Sequence, residues 1–552
     1  MLGFFVTSCW VVAWTAGAAP VAFTGGNLHT GTTALPRATA VLVDAGRIQF
    51  VGSDAEVLAR KPASARVIDL RGRTMLPGFV DAHVHLAGVG ARELSFNLEG
   101  TRSLAELQER LRSHARGPAA ASAWIVGRGW IEAQWTPPRY PTRHDLDAVV
   151  ADRPVVLTRA DGHALVANSR ALERAGIGRG TPNPAGGEIL RDAAGDASGL
   201  LVDRAMDLVR KLVPAATEAE TRQAIERGAA RELRLGWTQV HLAGASASEL
   251  RLLQELAASG RFPLRTYVAV SGPGPEAEKL LAGGPTRHGT CEVRAIKCYI
   301  DGALGSRGAA LLEPYSDSPD SRGLVLGTAA GLLPLFTRAL RAGIQVETHA
   351  IGDRGNRLVL DLYAQAFAAV PVAERKVADP RWRIEHAQVI HPDDIPRFRA
   401  LGVIASMQPS HAISDLYFAP ARLGPARLAG AYAWRSLIDA GVIIAGGSDA
   451  PVERGEPLIE FYAAVARRSL DGFANADWHP EQRVTRAEAL KMFTLWPALA
   501  SFEERERGTI EAGKVADFTV FSADIMTIPE PEILRARCVM TVIGGVVVWE
   551  EP

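Results

Sequence analysis

The sequence predicts an α/β protein built on a TIM-type (β/α)8 barrel, with a small β-sandwich formed by both chain ends and an inserted capping subdomain. Three observations support this prediction. Short apolar runs alternate with amphipathic segments through the middle of the chain, both ends carry alternating runs separated by turns, and one internal stretch is too long for a single crossover. The length of 552 residues is too great for one ordinary core and fits a barrel with additions.

The predicted barrel occupies residues 77–499. Its candidate strands are mostly continuous apolar runs, as expected for parallel strands that are covered on both faces. They lie at 79–85, 237–241, 264–270, 293–300, 344–349, 382–386, 402–408 and 441–449. Segments with helical periodicity separate most of them, for example 329–343, 357–370 and 392–402. Eight strands with intervening helices are what a (β/α)8 barrel requires.

The two chain ends predict one shared β-sandwich, made of residues 21–76 and 500–552. Near the first end, DAG and RGR turns separate alternating segments and indicate hairpins, and the segments after residue 508 have the same character. The stretch of about 88–232 predicts the inserted subdomain capping the barrel. It contains its own strand-like run at 154–163 and a Gly/Pro-rich stretch at 178–188.

Charge and cysteine content exclude several classes of protein. Lys+Arg and Asp+Glu both number 61, so no overall charge attracts nucleic acid or an anionic membrane. The four cysteines contain no CxxC pair, which excludes a disulfide scaffold and a thiolate zinc site. No segment after the N-terminus has the roughly 20 consecutive apolar residues of a stable membrane span. A small-molecule substrate is the expected partner, and assembly into a homo-oligomer stays open.

Residues 1–20 are apolar and predict either a signal peptide or an N-terminal extension. Ala16-Gly17-Ala18 resembles a signal-peptidase site, but no Lys or Arg precedes Arg37, so the charged start of a signal peptide is missing. A start codon placed too far downstream also fits. We favour export, and therefore a periplasmic or secreted location over a cytoplasmic one.

Side chains that can bind metals recur at the ends of the predicted strands. In GFVDAHVHL, residues 78–86, His83 and His85 lie on one face of a strand because they are two positions apart. Two such imidazoles can bind one cation, or they can simply end a strand. Four more residues occupy comparable positions on later strands, namely Lys297, His349, His386 and Asp449. The C-terminal ends of barrel strands meet at one mouth, and His and Asp suit zinc.

Lys297 is the unusual member of this set because a protonated amine repels a cation. Its ammonium group could pair with Asp301 or Asp449. Alternatively, burial in an apolar strand favours the neutral amine. A neutral amine can add carbon dioxide, and the two oxygens of the resulting carbamate could bridge two metals. The local sequence leaves both readings open.

In their order and strand positions, these residues resemble the metal-dependent amidohydrolase superfamily, in particular its N-substituted formamide deformylase-like branch (amidohydrolase family 3). The supporting stretches include 74-TMLPGFVDAHVHL-86, 301-DGALGSR-307, 347-ETHAIGD-353, 384-IEHAQ-388 and 447-GSDAP-451. The resemblance implies one divalent ion on His83 and His85 and another on His349 and His386, with zinc expected and one or two ions present. It implies that Lys297 bridges them as a carbamate. Asp449 would hold the first ion and act as the catalytic residue that handles protons.

The expected function is hydrolysis of a non-peptide C–N bond, of amide or N-substituted formamide type, by metal-activated water. The same site would also suit a deaminase, a cyclic amidase, or a hydrolase of N-acyl amino acids or dipeptides. An alternative of another class is a metal-free scaffold or binding protein. The presence of all six metal-site residues argues against it.

Four residues are weaker candidates for substrate contacts. His163 either reaches the pocket or caps a local turn. Trp130 either lines an apolar pocket or packs in the core of the inserted subdomain. Asp301 and Arg307 either contact substrate or pair with each other to shape the loop after the fourth strand.

Overall fold

The computed structural model describes residues 19–117, 122–132, 135–160, 162, 164–184, 187–474 and 478–552. The chain divides into two compact units, one running up to Val89 and resuming at Gly228–Pro552, the other comprising Gly90–Arg227. The predicted export signal falls almost wholly on residues 1–18, which lie outside the described residues, as does His163.

Eight parallel strands, which we label β1 to β8 in chain order, form the barrel of the larger unit. They are β1 Phe79–Val84, β2 Trp237–Ala245, β3 Arg265–Ser271, β4 Cys291–Tyr299, β5 Gln345–Ala350, β6 Arg383–His386, β7 Ile404–Met407 and β8 Ile444–Gly446. Each strand pairs with the next along the chain, and a short strand, Thr286–His288, adds antiparallel to β4. The predicted (β/α)8 fold is confirmed, although β8 is shorter than the predicted run.

The segment that follows β8 closes the barrel onto β1. The Asp449 N–H donates to the His83 carbonyl at 2.7 Å. Ser448 donates from its N–H and from its hydroxyl to the two carboxylate oxygens of Asp81, at 2.9 and 2.5 Å. These bonds replace a regular ladder between the first and last strands, and they place Asp449 directly beside the end of β1.

Helices cover the barrel strands, as a parallel sheet requires. The helix Glu218–Leu235 spans the second boundary between the two units. The helices that follow it in the larger unit are Ala247–Ala258, Pro275–Gly283, Ala329–Ala342, Asp353–Ala369, Ile395–Leu401, Pro409–Ser414, Ala419–Leu423, Pro425–Leu428, Trp434–Asp439, Pro457–Ala466, Arg486–Met492 and Leu495–Ala500. Local sequence sets several ends. A Ser246/Glu249 capping box begins one helix, and Gly343, at φ 70°, ends another. Among the described residues, no helix has the length and apolar character to cross a bilayer.

Two further sheets in the larger unit form a sandwich from both chain ends. One has the strand order Arg47–Gly52, Ala40–Asp44, Val21–Thr24, Arg66–Asp69. The other has the order Val546–Glu550, Cys538–Ile543, Phe518–Phe521, Thr74–Pro77, Asn27–His29, Arg37–Ala38. Short helices lie at Asp54–Arg60 and Glu530–Ile533. Phe23, Met75 and Phe518 share one apolar core, so the two ends of the chain fold together.

The smaller unit is organised around a six-stranded sheet. Its strand order is Gly187–Arg191, Ala197–Asp203, Ala164–Ala167, Val155–Arg159, Ile125–Trp130, Phe96–Asn97. The accompanying helices are Leu104–Arg116, Arg143–Asp147, Ser169–Arg174 and Asp207–Arg210, and the helix Leu86–Leu94 spans its first boundary. Neighbouring residues of the sheet pack into two separate clusters of buried apolar side chains. On the strand Val155–Arg159, for example, Leu157 belongs to one cluster and Val156 to the other.

Candidate metal centre

Histidines from β1, β5 and β6 meet Asp449 at the C-terminal ends of the barrel strands. His83, His386 and Asp449 each offer one ligand atom, and these atoms lie within 4.8 Å of one another. The His349 and His386 rings are 4.5 Å apart between centroids, and the His83 and His85 rings are 5.6 Å apart. Four predicted metal-site imidazoles and one carboxylate therefore surround a small volume.

Asp449 turns one carboxylate oxygen towards the histidines of β1. Its Oδ1 lies 3.4 Å from His83 Nε2 and 3.2 Å from His85 Nε2. The residue has a φ of 58°, a left-handed conformation that is uncommon outside glycine. Local strain of this kind is characteristic of functional sites, and here the backbone turn directs the carboxylate to the mouth.

Burial keeps three of the imidazoles neutral. Loss of solvent, followed by the charge of Lys297, lowers the pKa of His83 and brings the pKa of His349 to about 3. Burial and the neighbouring His349 lower the pKa of His386 well below its ordinary value. A neutral imidazole has the free nitrogen lone pair that a metal requires. His349 Nε2 is buried and has no hydrogen-bond partner among the described residues.

Two residues that the sequence did not suggest orient the histidines from behind. Glu385 Oε2 hydrogen-bonds His83 Nδ1, and Gln408 Oε1 lies 2.8 Å from His386 Nδ1. Partners of this type fix the tautomer in which Nδ1 carries the proton and Nε2 faces a metal. Strand alternation places Glu385 and His386 on opposite faces, but His386 has a φ of 73°, which turns the end of β6 so that both reach the site.

Lys297 lies inside β4 with only 1% of its surface exposed. Its cross-strand neighbour on β5 is Glu347, and its Nζ lies 5.3 Å from the centre of the Tyr299 ring. Burial lowers the pKa of the amine, the direction that favours the neutral form. Of the partners considered from the sequence, Asp301 accepts three backbone N–H groups, and Asp449 faces imidazoles instead.

The donor set fits a divalent metal ion. Burial by itself would raise the pKa of Asp449, but His83, His411 and His85 outweigh it and hold that pKa well below the ordinary value. A site with an ionised carboxylate, neutral imidazoles and an unpartnered ring nitrogen matches the nitrogen and oxygen ligands of zinc. His85, with 39% of its side chain exposed, lies on the open side of the site.

Residues 66–549 match the model of the amidohydrolase family. The chain belongs to the amidohydrolase family. This amidohydrolase is 35% identical over 543 residues to the YtcJ amidohydrolase of Bacillus subtilis, covering 96% of this chain and 99% of that protein. It is 30% identical to the N-substituted formamide deformylase of Arthrobacter pascens, over 95% and 97% of the two chains. A metal-dependent hydrolase from Pyrococcus horikoshii OT3 has a similar crystal structure, with a TM-score of 0.75 and 26% identity over 93% of this chain and 99% of that one.

The family and its relatives identify the amidohydrolase as a metal-dependent enzyme that hydrolyses C–N bonds.

One of the weaker candidates for substrate contacts lies in a hydrophobic core, and another falls outside the described residues. Trp130 is fully buried in the smaller unit and donates its indole N–H to the Leu157 carbonyl at 2.8 Å, which is the core position considered as its alternative. His163 lies outside the described residues.

Asp301 and Arg307 of the amidohydrolase do not pair with each other, which was one of the two alternatives considered for them. Asp301 accepts the N–H groups of Ile351 and Gly352, and it also lies 3.5 Å from His349 Nε2. Arg307 instead pairs with Asp317 at 3.0 Å. The alternative in which Asp301 and Arg307 pair with each other is therefore contradicted, because Asp301 accepts backbone N–H groups from the segments after β4 and β5.

His411 is a further member of the site that sequence reasoning missed. It lies in the helix Pro409–Ser414 after β7, and its Nε2 is 3.4 Å from Asp449 Oδ2. Burial lowers the pKa of His411, but Asp449 and Glu453 outweigh burial and raise that pKa to about 10. The sequence contains a signal for this residue, because the histidine of QPSHA comes just after the predicted strand 402–408, as the other site histidines lie at strand ends.

Proposed function

We propose that this amidohydrolase hydrolyses the C–N bond of a small amide of N-substituted formamide type, using water activated by one or two divalent ions, with zinc preferred. The observation that carries the proposal is the convergence of His83, His386 and Asp449 donor atoms within 4.8 Å. The full-length similarity to the Arthrobacter pascens deformylase supports the formamide type.

The side chains divide into two groups that would hold the ions. His83, His85 and Asp449 would bind the first ion, and His349 and His386 the second, with Lys297 between them as a carbamate. A divalent metal at such a site lowers the pKa of water from 15.7 to about 7 and polarises a carbonyl oxygen. Burial of the surrounding side chains strengthens their electrostatic action on the substrate.

Asp449 is positioned to move the proton. Water adds to the carbonyl carbon and gives its proton to the carboxylate, the C–N bond breaks, and the same proton passes to the leaving nitrogen. One carboxylate can perform both steps because it is ionised before the reaction and protonated in the middle of it. Its low pKa in the folded protein ensures the ionised starting state.

Replacement of this carboxylate tests the mechanism. We expect Asp449→Asn to lower kcat at least ~10²-fold, the lower range for general acid–base catalysis, because an amide cannot accept the proton. Metal content, measured by mass spectrometry on protein purified without chelator, should stay close to that of the wild type if the histidines provide the remaining ligands. Full turnover by this variant would remove Asp449 from the proposed role.

A panel of formamides, N-acyl amino acids, dipeptides, cyclic amides and aminopurines tests the substrate type. N-substituted formamides should give the highest kcat/KM. Preference for another group on the panel would reassign the reaction while keeping the site. A protein that contains no metal and cleaves nothing on the panel would instead be a scaffold.

A further inference from the structure

The two carboxylate oxygens of Asp449 have different neighbours. Oδ1 faces His83 and His85 at 3.4 and 3.2 Å, whereas Oδ2 faces His411 Nε2 at 3.4 Å. The backbone of Asp449 is fixed separately, by its N–H bond to the His83 carbonyl at 2.7 Å. The backbone of Asp449 is held by this bond, so the orientation of its carboxylate depends on side-chain contacts, and His411 is placed to provide one of them.

Among the described residues, His411 has no competing partner for the ring nitrogen that faces the carboxylate. Its Nε2 is buried and forms no hydrogen bond with good geometry among the described residues, although Asp449 Oδ2 is within reach. The His411 and His386 rings lie 5.8 Å apart between centroids. Buried polar groups in proteins are nearly always hydrogen-bonded, and Asp449 Oδ2, at 3.4 Å, is the acceptor within reach of this nitrogen among the described residues.

The segment that carries His411 is held firmly. Gln408, three residues earlier, reaches His386 Nδ1 at 2.8 Å. The Ser410 N–H donates to Glu460 Oε2 at 2.9 Å, and Glu460 is completely buried in the helix Pro457–Ala466. Residues 408–411 thus contact two of the candidate metal ligands from one short, anchored segment at the end of β7.

We propose that His411 is a positioning residue for Asp449: its Nε2–H holds Oδ2, so that Oδ1 remains directed at the histidines of β1. This inference rests on the proposed function, in which Asp449 transfers the proton. It extends that function by naming the group that fixes the orientation of the carboxylate during both proton transfers. Hydrogen-bond partners of metal-binding carboxylates typically contribute 10–100-fold in metal affinity or activity.

Paired substitutions test the role. His411→Phe keeps the ring but removes the donor, and we expect kcat to fall about 10–100-fold, with KM changed less than about twofold and metal content retained. His411→Gln places an amide N–H near the position of Nε2, so it should recover most of the lost kcat. His411→Asn is too short to reach Oδ2 and should resemble the Phe variant. His288→Gln, on the exposed strand Thr286–His288, is the matched control and should retain full activity.

A crystal structure of the His411→Phe variant gives a readout that does not depend on turnover. The Asp449 carboxylate should be rotated or disordered there, and it should return to its place in His411→Gln. If the wild type cleaves nothing on the substrate panel, the proposed function fails, while this structural comparison still decides the inference. Unchanged kcat in the Phe variant, loss of its metal, or an unmoved carboxylate would each overturn the positioning role.

Discussion

Burial determines the charges of the residues around the candidate metal centre. His349 has a pKa of about 3 because its ring has lost solvent next to Lys297, and His386 is shifted in the same direction. Burial alone would raise the pKa of Glu385, as it would for Asp449, but the contact with His83 and the charges of Lys297 and Arg383 outweigh burial and lower the pKa of Glu385. The site therefore combines neutral metal-binding rings with ionised carboxylates at neutral pH.

The contact between Glu385 and His83 gives a prediction at the residue scale. Glu385→Gln keeps the shape but removes the negative charge that holds the Nδ1 proton of His83, so zinc affinity should fall about 10–100-fold. Competition with a chelator of known affinity measures the change. Glu374→Gln, at a side chain that is 53% exposed, is the control. Equal zinc affinity in both variants would mean that Glu385 does not support the metal ligand.

At the scale of elements, the closure between β8 and β1 connects barrel stability to the site. Gly447 follows β8, and a Cβ atom added there would lie 2.5 Å from the backbone nitrogen of His83 and 2.9 Å from Asp81 Oδ1. No L-residue could occupy this position unless β1 moved. The absence of a side chain at Gly447 is thus what allows Asp449 and His83 to lie side by side.

Gly447→Ala should therefore disturb both stability and metal binding. We expect a loss of about 1–3 kcal/mol in the free energy of unfolding, the usual range for overpacking, together with lower zinc occupancy because His83 shifts. Urea denaturation and metal analysis measure the two effects. Gly283→Ala is the matched control, because a Cβ at this helix end meets nothing within 4 Å. Similar results for the two variants would refute the argument for tight closure.

At the scale of the whole molecule, Asp517 ties the C-terminal part of the chain to the barrel. Its carboxylate is 2.8 Å from Arg265 at the start of β3 and 3.1 Å from Arg507. Burial by itself would raise the pKa of Asp517, but the two arginines outweigh it and lower the pKa. The ion pairs thus favour the ionised carboxylate in the folded state.

Asp517→Asn should cost about 1.5–3 kcal/mol of stability at pH 7, the range for hydrogen bonds to charged groups, because it removes the carboxylate that Arg265 and Arg507 share. Arg507 keeps its second contact, with Glu503 at 3.2 Å. The pKa of Asp517 in the folded state is below its unfolded value of about 3.9. The contribution of this carboxylate to the free energy of unfolding is therefore complete above about pH 3.9, and it disappears as the pH falls through the folded-state pKa. Wild type and variant should differ most near neutral pH and converge in acid. Urea denaturation at several pH values measures this, and a constant difference down to pH 2 would contradict it.

Metal binding should also stabilise the whole molecule. A ligand present at 100 times its dissociation constant stabilises the folded state by about 2.7 kcal/mol. Adding zinc to chelator-treated protein should therefore raise Tm, and His386→Ala should lose most of this rise while His288→Ala keeps it. An identical rise in both variants would place the bound zinc elsewhere.

Much of this architecture could be predicted from local pattern. Apolar runs with turns between them located all eight barrel strands, and the polar residues at their ends gave the six residues that now surround one mouth. The family resemblance then assigned them an order and a chemistry. Strand-end position is readable because parallel barrel strands all point the same way, which brings their last residues together whatever the loops contain.

Contacts between distant parts of the chain had no such local signal. Glu385 contacts His83, which lies 302 positions earlier in the chain, where His386 turns the backbone at the end of β6. Arg265 at the start of β3 pairs with Asp517, which lies 252 positions later.

The sequence by itself therefore determined the barrel and the set of metal-site candidates, since these depend on periodicity and on residue type at strand ends, and its motifs carried the resemblance to the family. Only the tertiary structure decided that His411 faces Asp449, that Gln408 supports His386 and that Trp130 is core. The physical reason is that orientation and burial depend on neighbours from other elements, and these become neighbours only when the chain has folded.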